Sequence, residues 1–261
     1  MIESLHSPHV ARVKALIGSK GAKERREQGL FIAEGVQCAR EALTSVNGPQ
    51  IKILYGTDSG LSKISEFDLT SVEIVEVTDA VMKAMSDTVT PQGLISLCYK
   101  PSVDFSQEIP TGTSAYIYLH EIQDPGNAGT ILRTADAMGV TAVITSPESV
   151  DMFSPKVVRS TAGSLWHIPI YEGISIDRMD KQFKGIQKLL LSAQAKTSIL
   201  DVSIPGDCVA IFGNEARGVD ASTLGTSVTE VTIPMAGRAE SLNLSAAASI
   251  VMFTISSKVA G

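Results

Sequence analysis

Ile233-Pro-Met-Ala-Gly-Arg-Ala-Glu-Ser-Leu-Asn-Leu-Ser-Ala-Ala-Ala-Ser249 is the stretch whose reading decides the fold. A β-rich run, Val228 to Ile233, stops at Pro234, which has no N–H to give to a sheet ladder. A loop containing Gly237 follows, and Ser241 and Asn243 offer helix-capping side chains. The closing run, Leu244 to Ser257, carries no charge. A helix that is apolar all round is expected to be buried on all sides. The chain therefore reads as ending in a buried helix whose N-terminus points polar groups at a loop. Such termini are natural ligand sites, although capping alone would account for the same residues.

Working outward, 261 residues are enough for two domains. With 44% hydrophobic and 19% charged residues the chain reads as folded, and it has no apolar run of membrane-spanning length. Met1 to His6 does not follow the basic-then-apolar plan of a signal peptide. Cys38, Cys98 and Cys208 are odd in number and far apart, so buried thiols in a reducing cytoplasm are expected. The four histidines show no metal-ligand spacing, and no metal is expected. The net charge of −6 argues mildly against nucleic acid as partner. Residues 1 to 28, however, hold six basic side chains against three acids, with Lys23, Arg25 and Arg26 close together. A local basic patch can bind RNA on an acidic protein, against the blander reading of a solvated helix face.

In chain order, residues 8 to 28 read as one helix, with Ser7 as cap and Pro8 at its first position. A short apolar run at 29–33, a helix at 34–45, strands at 51–55, 72–77 and 94–99, and helices at 60–66 and 80–85 indicate a small α/β domain over residues 1–108. Lys100 to Thr113 reads as the linker. The second domain, 112–261, shows buried strands at 115–119, 141–145, 208–212 and 228–233, with a weaker one at 189–193. Helices are expected at 127–138, 154–164 and 177–188. This alternation predicts a mostly parallel sheet.

In open parallel sheets ligands bind at the carboxyl ends of strands. Three such ends are rich in Gly, Asn and small polar residues: His120 to Arg133, Gly213 to Gly218, and the stretch quoted above. Gly126-Asn-Ala-Gly129 lacks dinucleotide spacing, no phosphate-loop lysine follows, and there is no G-x-S-x-G elbow. The expected ligand is thus held by backbone loops rather than by a phosphate cradle.

These three segments together resemble the sequence motifs of the SpoU/TrmH family of RNA ribose 2′-O-methyltransferases, in the SPOUT class. The first motif matches at Asp124-Pro-Gly-Asn127, Gly129 and Arg133; the second at Phe212-Gly-Asn-Glu215 and Gly218. The third matches at Ile233-Pro-Met235, Glu240-Ser-Leu-Asn243, Ser245 and Ala247. Ser154-Pro-Lys-Val-Val-Arg159, with Ser160-Thr-Ala-Gly163, resembles the family's intermediate segment. Order and spacing are kept over residues 115 to 257. Phe31-Ile-Ala-Glu-Gly35 resembles the family's substrate-binding domain, itself similar to small ribosomal RNA-binding proteins. The resemblance implies a SPOUT-type parallel sheet closed by a trefoil knot, S-adenosylmethionine bound bent within it, and a homodimer with active sites at the interface.

It also implies roles. Arg133 is the leading catalytic residue, as proton acceptor or as clamp on the target phosphate; an arginine that stays protonated suits the clamp at least as well. Asn127 is expected to position Arg133 or the ribose, Glu215 to accept hydrogen bonds from Arg133 or substrate, and Ser241 and Asn243 to orient substrate or the caging loops. Gly213, Asn214, Ile233, Met235, Leu242 and Ser245 are expected at the cofactor. Lys23, Arg25, Arg26, Lys156 and Arg159 are candidates for RNA phosphate. The function implied is S-adenosylmethionine-dependent 2′-O-methylation of structured RNA, ribosomal before transfer RNA. A non-catalytic RNA-binding or ribosome-assembly protein on the same fold is the competing reading, and a nucleotide-binding enzyme outside the family would have an unknotted sheet.

Overall fold

A computed structural model describes residues 1–102, 105, 115–214, 217–224 and 228–259. Its helices are α1 (Pro8–Ile17), α2 (Gly21–Gln28), α3 (Val36–Thr44), α4 (Asp58–Leu61), α5 (Asp79–Met85), α6 (Pro125–Ala137), α7 (Pro155–Ser160), α8 (Ile176–Gln182) and α9 (Leu244–Val259). Its strands are β1 (Leu30–Glu34), β2 (Ile51–Gly56), β3 (Ile74–Glu76), β4 (Leu94–Tyr99), β5 (Ala115–Leu119), β6 (Ala142–Thr145), β7 (Ile170–Tyr171), β8 (Gln187–Leu191), β9 (Thr197–Ser198), β10 (Cys208–Phe212) and β11 (Val228–Thr232). The chain forms two compact units: Met1–Ser102 with Asp151–His167, and Val103–Val150 with Ile168–Gly261. The domain boundary expected between 108 and 112 lies outside the described residues.

The first unit is a four-stranded sheet in the order β1-β4-β2-β3, antiparallel except for the β2–β3 pair. Alternation along the strands sorts its two faces. Ile32, Ile53 and Tyr55 pack with Val10, Val13 and Met82 of α1 and α5. Leu54 and Leu94 pack with Ala39 and Ile64 on the other face. The single helix expected over 8–28 is two helices. Gly18 ends α1 in an extended conformation, its N–H bonded to the Lys14 carbonyl. At Gly21 a Cβ would stand 2.4 Å from the Leu16 carbonyl oxygen, so only glycine lets α2 start that close to the end of α1.

Residues 151–167 lie inside the sequence of the expected second domain yet pack into the first unit. Phe31 of β1 meets Phe153 at 5.0 Å and Trp166 at 6.3 Å between ring centroids. The Trp166 indole N–H donates to the Pro49 carbonyl at 2.8 Å. Buried aromatic area, not position in the chain, decides where this segment sits.

The second unit is a seven-stranded sheet in the order β7-β6-β5-β10-β8-β11-β9, every pair parallel. Two of its strands, β7 and β9, have two residues each, too short to show a period in sequence. The helix expected over 177–188 stops at Gln182, and Gly185 turns the chain with φ +82 into β8. Lys188, 1% exposed on that strand, reaches back to the Phe183 carbonyl at 3.0 Å and to Asp180 at 3.1 Å, closing the end of α8.

Helix α9 runs to Val259 and is not buried on all sides. Ala248, Val251, Met252 and Ile255 are buried, whereas Phe253 is 62% and Ile250 39% exposed. It also gains a charge at its end: Lys258 Nζ donates to the Leu200 and Val202 carbonyls at 2.7 Å each. Among the described residues no helix is long and apolar enough to cross a membrane.

Candidate active site

The carboxyl ends of β8, β10 and β11 open on a cavity of about 400 Å³ in the second unit. Gly213 and Asn214 enter it from β10, Ile233 and Met235 from the loop after β11, and Ser241, Leu242 and Asn243 from the turn before α9. Seven of the sequence-predicted positions thus share one wall. Leu191, Ser192 and Ala193 also line it and were not expected there; Leu191 ends β8, and Ser192 and Ala193, expected inside that strand, follow it.

The wall is built by close backbone approach. A Cβ at Gly213 would lie 2.5 Å from the Gly218 carbonyl carbon. Gly218, at φ +66, bridges back to Asn214. Glycine is therefore needed at 213 for the close approach and at 218 for its left-handed backbone.

Two helix N-termini meet beside it. Asp124 caps α6 by accepting from the Asn127 N–H at 2.7 Å, with Pro125 in the first turn. Asn243 caps α9: its Oδ1 accepts from the Ser245 N–H at 2.9 Å and from the Ser245 hydroxyl at 2.6 Å. Its Nδ2 donates to Asn127 Oδ1 at 3.0 Å. Farther along, the hydroxyls of Thr134 and Ser249 lie 3.3 Å apart. One asparagine thus serves both its own helix and its neighbour.

Other expected residues are placed differently. Ser245, expected at the cofactor, has its N–H and hydroxyl on Asn243 and is not part of the cavity wall. Arg133 is on α6 but off the buried Ala128, Ile131, Leu132, Ala135 stripe. It is exposed, outside the cavity, and has no partner among the described residues. Glu215 lies outside the described residues.

In the first unit the expected basic patch divides. Lys23 is exposed and 3.7 Å from Glu27; Arg26 and Lys156 are also exposed. Arg159 pairs with Asp87 at 2.9 Å. Arg25, expected at RNA, does not face outward: at 4% exposure it holds Asp151 at 2.8 Å and donates to the Leu16 carbonyl. A guanidinium so enclosed needs internal partners, and it pins residue 151 to α1 and α2.

Chemically, the cavity offers an apolar floor (Leu191, Ile233, Leu242, Ala247), backbone groups from the glycine-rich wall, and the Ser241 and Asn243 side chains at one end. Its volume suits a bent, drug-sized ligand with a few placed polar contacts.

Two family models match the chain. Residues 114–253 match the model of the SpoU rRNA Methylase family, and residues 9–96 that of the MRM3-like substrate binding domain. The chain is 30% identical over 232 residues, 88% of its length and 90% of the other's, to the 23S rRNA (guanosine(2553)-2′-O)-methyltransferase of Bacillus subtilis (strain 168). It is 26% identical over 250 residues to the 23S rRNA (uridine(2479)-2′-O)-methyltransferase of Streptomyces viridochromogenes, covering 92% of this chain and 86% of that one. The AdoMet-bound rRNA methyltransferase from Sinorhizobium meliloti superimposes with a TM-score of 0.85 at 28% identity, over 97% of this chain and 96% of that chain.

Proposed function

The chain belongs to the SpoU rRNA methylase family, and on that premise we propose that it transfers a methyl group from S-adenosylmethionine to a ribose 2′-hydroxyl of structured RNA, ribosomal RNA before transfer RNA. The observation that carries the reading is a cavity shared by three strand exits and lined by Gly213, Asn214, Ile233, Met235, Ser241, Leu242 and Asn243. These residues fit the cofactor. Gly213, Asn214 and Gly218 line the cavity, so two residues of that wall bring backbone with no side chain, and the aliphatic floor suits a flat ring. When bound, S-adenosylmethionine supplies the sulfonium methyl that passes to the ribose oxygen.

The protein's own part is alignment. Asn243, held by its capping bonds and by Asn127, presents a fixed amide beside Ser241 at the cavity mouth. Arg133 carries a permanent charge and is exposed, so it clamps an RNA phosphate and stabilises negative charge building on the ribose oxygen. Glu215 is proposed to accept hydrogen bonds from Arg133 or from the substrate. In the first unit Lys23, Arg26 and Lys156, of the cations expected at RNA, are exposed and available to it.

A homodimer through the second unit is part of the proposal. Phe253 and Ile250 leave apolar area uncovered on α9, and Arg133 has no partner among the described residues of its own chain. A second protomer would cover the first and complete the second. A knotted C-terminal segment is also proposed, supported by β10 lying between β5 and β8 while α9 packs on α6. A reducing cytoplasm as its compartment is supported by three buried, unpaired thiols.

The test is methyl transfer from labelled S-adenosylmethionine to ribosomal and transfer RNA of a strain lacking the protein, with 2′-O-methylation mapped against the parent. Incorporation at a ribosomal site missing from the deletion strain is expected. Incorporation only into transfer RNA would reverse the substrate assignment. Absence of cofactor binding in calorimetry would leave a non-catalytic RNA-binding protein.

A further inference from the structure

Glu121 stands just past the end of β5 with φ +53, a left-handed conformation that a side chain disfavours and that glycine adopts freely. Every polar group of this residue is engaged. Its N–H donates to the Ser146 hydroxyl at 2.8 Å. Its carbonyl accepts from Asn214 Nδ2 and from Gln123 Nε2, both at 3.0 Å. Its carboxylate meets Arg217 Nη2 at 2.6 Å, with His120 Nε2 at 3.7 Å from the other oxygen.

The contacts converge on one loop. Asn214 and Gly218 line the cavity, and Arg217 lies between them in sequence. Asn214 Oδ1 in turn accepts from the Arg217 N–H at 3.3 Å, and the Gly218 N–H bonds to the Asn214 carbonyl at 2.8 Å. The two neighbouring strand exits are tied as well, by the His120 N–H on the Phe212 carbonyl at 2.8 Å. Were the turn alone required, glycine would make it with less strain, so the carboxylate supplies something glycine would not.

We propose that Glu121 is a positioning residue for the cofactor wall. Its carbonyl, through Asn214, and its carboxylate, through Arg217, hold the two described ends of the loop, Gly213–Asn214 and Arg217–Gly218, in the arrangement that forms the cavity. Glu121 lies outside the cavity lining and acts only through these partners. The inference rests on the cofactor reading of the cavity given above and adds which residues shape it.

The experiment measures S-adenosylmethionine affinity by calorimetry, thermal midpoint, and KM and kcat for the full-length protein and the variants Glu121→Gly, Glu121→Gln, Arg217→Ala and Glu121→Gly/Arg217→Ala. Glu121→Gly and Arg217→Ala should each weaken binding about fivefold to tenfold and raise KM for the cofactor alike, with kcat at saturation within about twofold. Glu121→Gln, which keeps an acceptor for Arg217, should lie between. The double variant should be no weaker than the worse single one, because both remove the same link. Glu121→Gly should melt no lower than wild type, since it relieves the left-handed strain. Cofactor affinity within twofold of wild type in both single variants overturns the proposal, as does a fall in kcat and thermal midpoint with KM unchanged. A wild type that binds no S-adenosylmethionine overturns the cofactor reading and this inference together; a wild type that binds, beside unaffected variants, overturns this inference alone.

Discussion

Asn243 donates from its side-chain amide to the side-chain carbonyl of Asn127 across 3.0 Å while its own carbonyl caps α9. The two functions use different atoms of one side chain, so substitutions can separate them. Asn243→Ala removes both and should cost about 1 kcal/mol of stability from the lost cap alone. Asn243→Asp keeps the capping acceptor, and a negative charge suits a helix N-terminus, yet it cannot donate to Asn127. The aspartate variant should therefore melt near wild type while single-turnover methyl transfer falls about tenfold or more. An aspartate variant with wild-type transfer would remove the Asn127 link from the mechanism.

Arg133→Ala should lower the rate of transfer about 10²-fold or more. Affinity for S-adenosylmethionine should stay within about twofold, because Arg133 is outside the cavity. Calorimetry and single-turnover kinetics on the same preparation separate the two effects. Retention of more than about a third of the wild-type rate would exclude Arg133 from catalysis.

On α9, Phe253 is 62% exposed and Val251 is 1% exposed, so aspartate at the two positions should act differently. Phe253→Asp should fold and run near 27.6 kDa in light scattering, where the wild type runs near twice that mass. Val251→Asp should unfold outright, since a carboxylate would be buried without a partner. A wild type that is monomeric at micromolar concentration would sink the dimer.

The basic residues of α2 should also divide. Neutralising Lys23 and Arg26 should lower the salt dependence of RNA binding by about one unit of slope each, with stability unchanged. Arg25→Ala should instead destabilise the first unit by about 1–3 kcal/mol, because it removes a buried ion pair and leaves the Leu16 carbonyl without its guanidinium donor, while Asp151 keeps the Phe153 N–H. Urea unfolding distinguishes the two; an Arg25 variant as stable as wild type would return this residue to the RNA-contact candidates.

Burial raises the thiol of Cys38 from an ordinary value near 9 to about 11 and that of Cys208 to about 12. The neutral thiol is the form the fold favours. Its contribution is therefore whole below pH 9, where both states are protonated, and is lost as pH climbs from 9 through 11 to 12 and only the unfolded thiols ionise. The urea midpoint should fall steadily over that window. At pH 8 a thiol reagent should label these cysteines only in urea; labelling of the native protein at a free-thiol rate would contradict the burial.

Local pattern was enough for much of this molecule. The strands at 94–99, 115–119 and 208–212 stand at their expected bounds, because buried strands read as largely apolar runs, broken here only by Ser96. The glycines at 213 and 218, the proline after β11 and the capping side chain at 243 were legible for a similar reason, each acting on nearby backbone, whereas α6 starts at Pro125 under an Asp124 cap, two residues before the expected start. What depended on distant partners was not. Arg25 reads as one more cation on a basic helix until Asp151, 126 residues away, encloses it. The segment 151–167 reads as part of the second domain until Phe153 and Trp166 find Phe31. Glu121 reads as a loop acid until its left-handed turn and Arg217 give it a position. In each case the sequence supplies the residue, and burial against groups remote in the chain decides what the residue does. Those long-range contacts are many, individually weak and jointly selected by folding, so only the tertiary structure could reveal them.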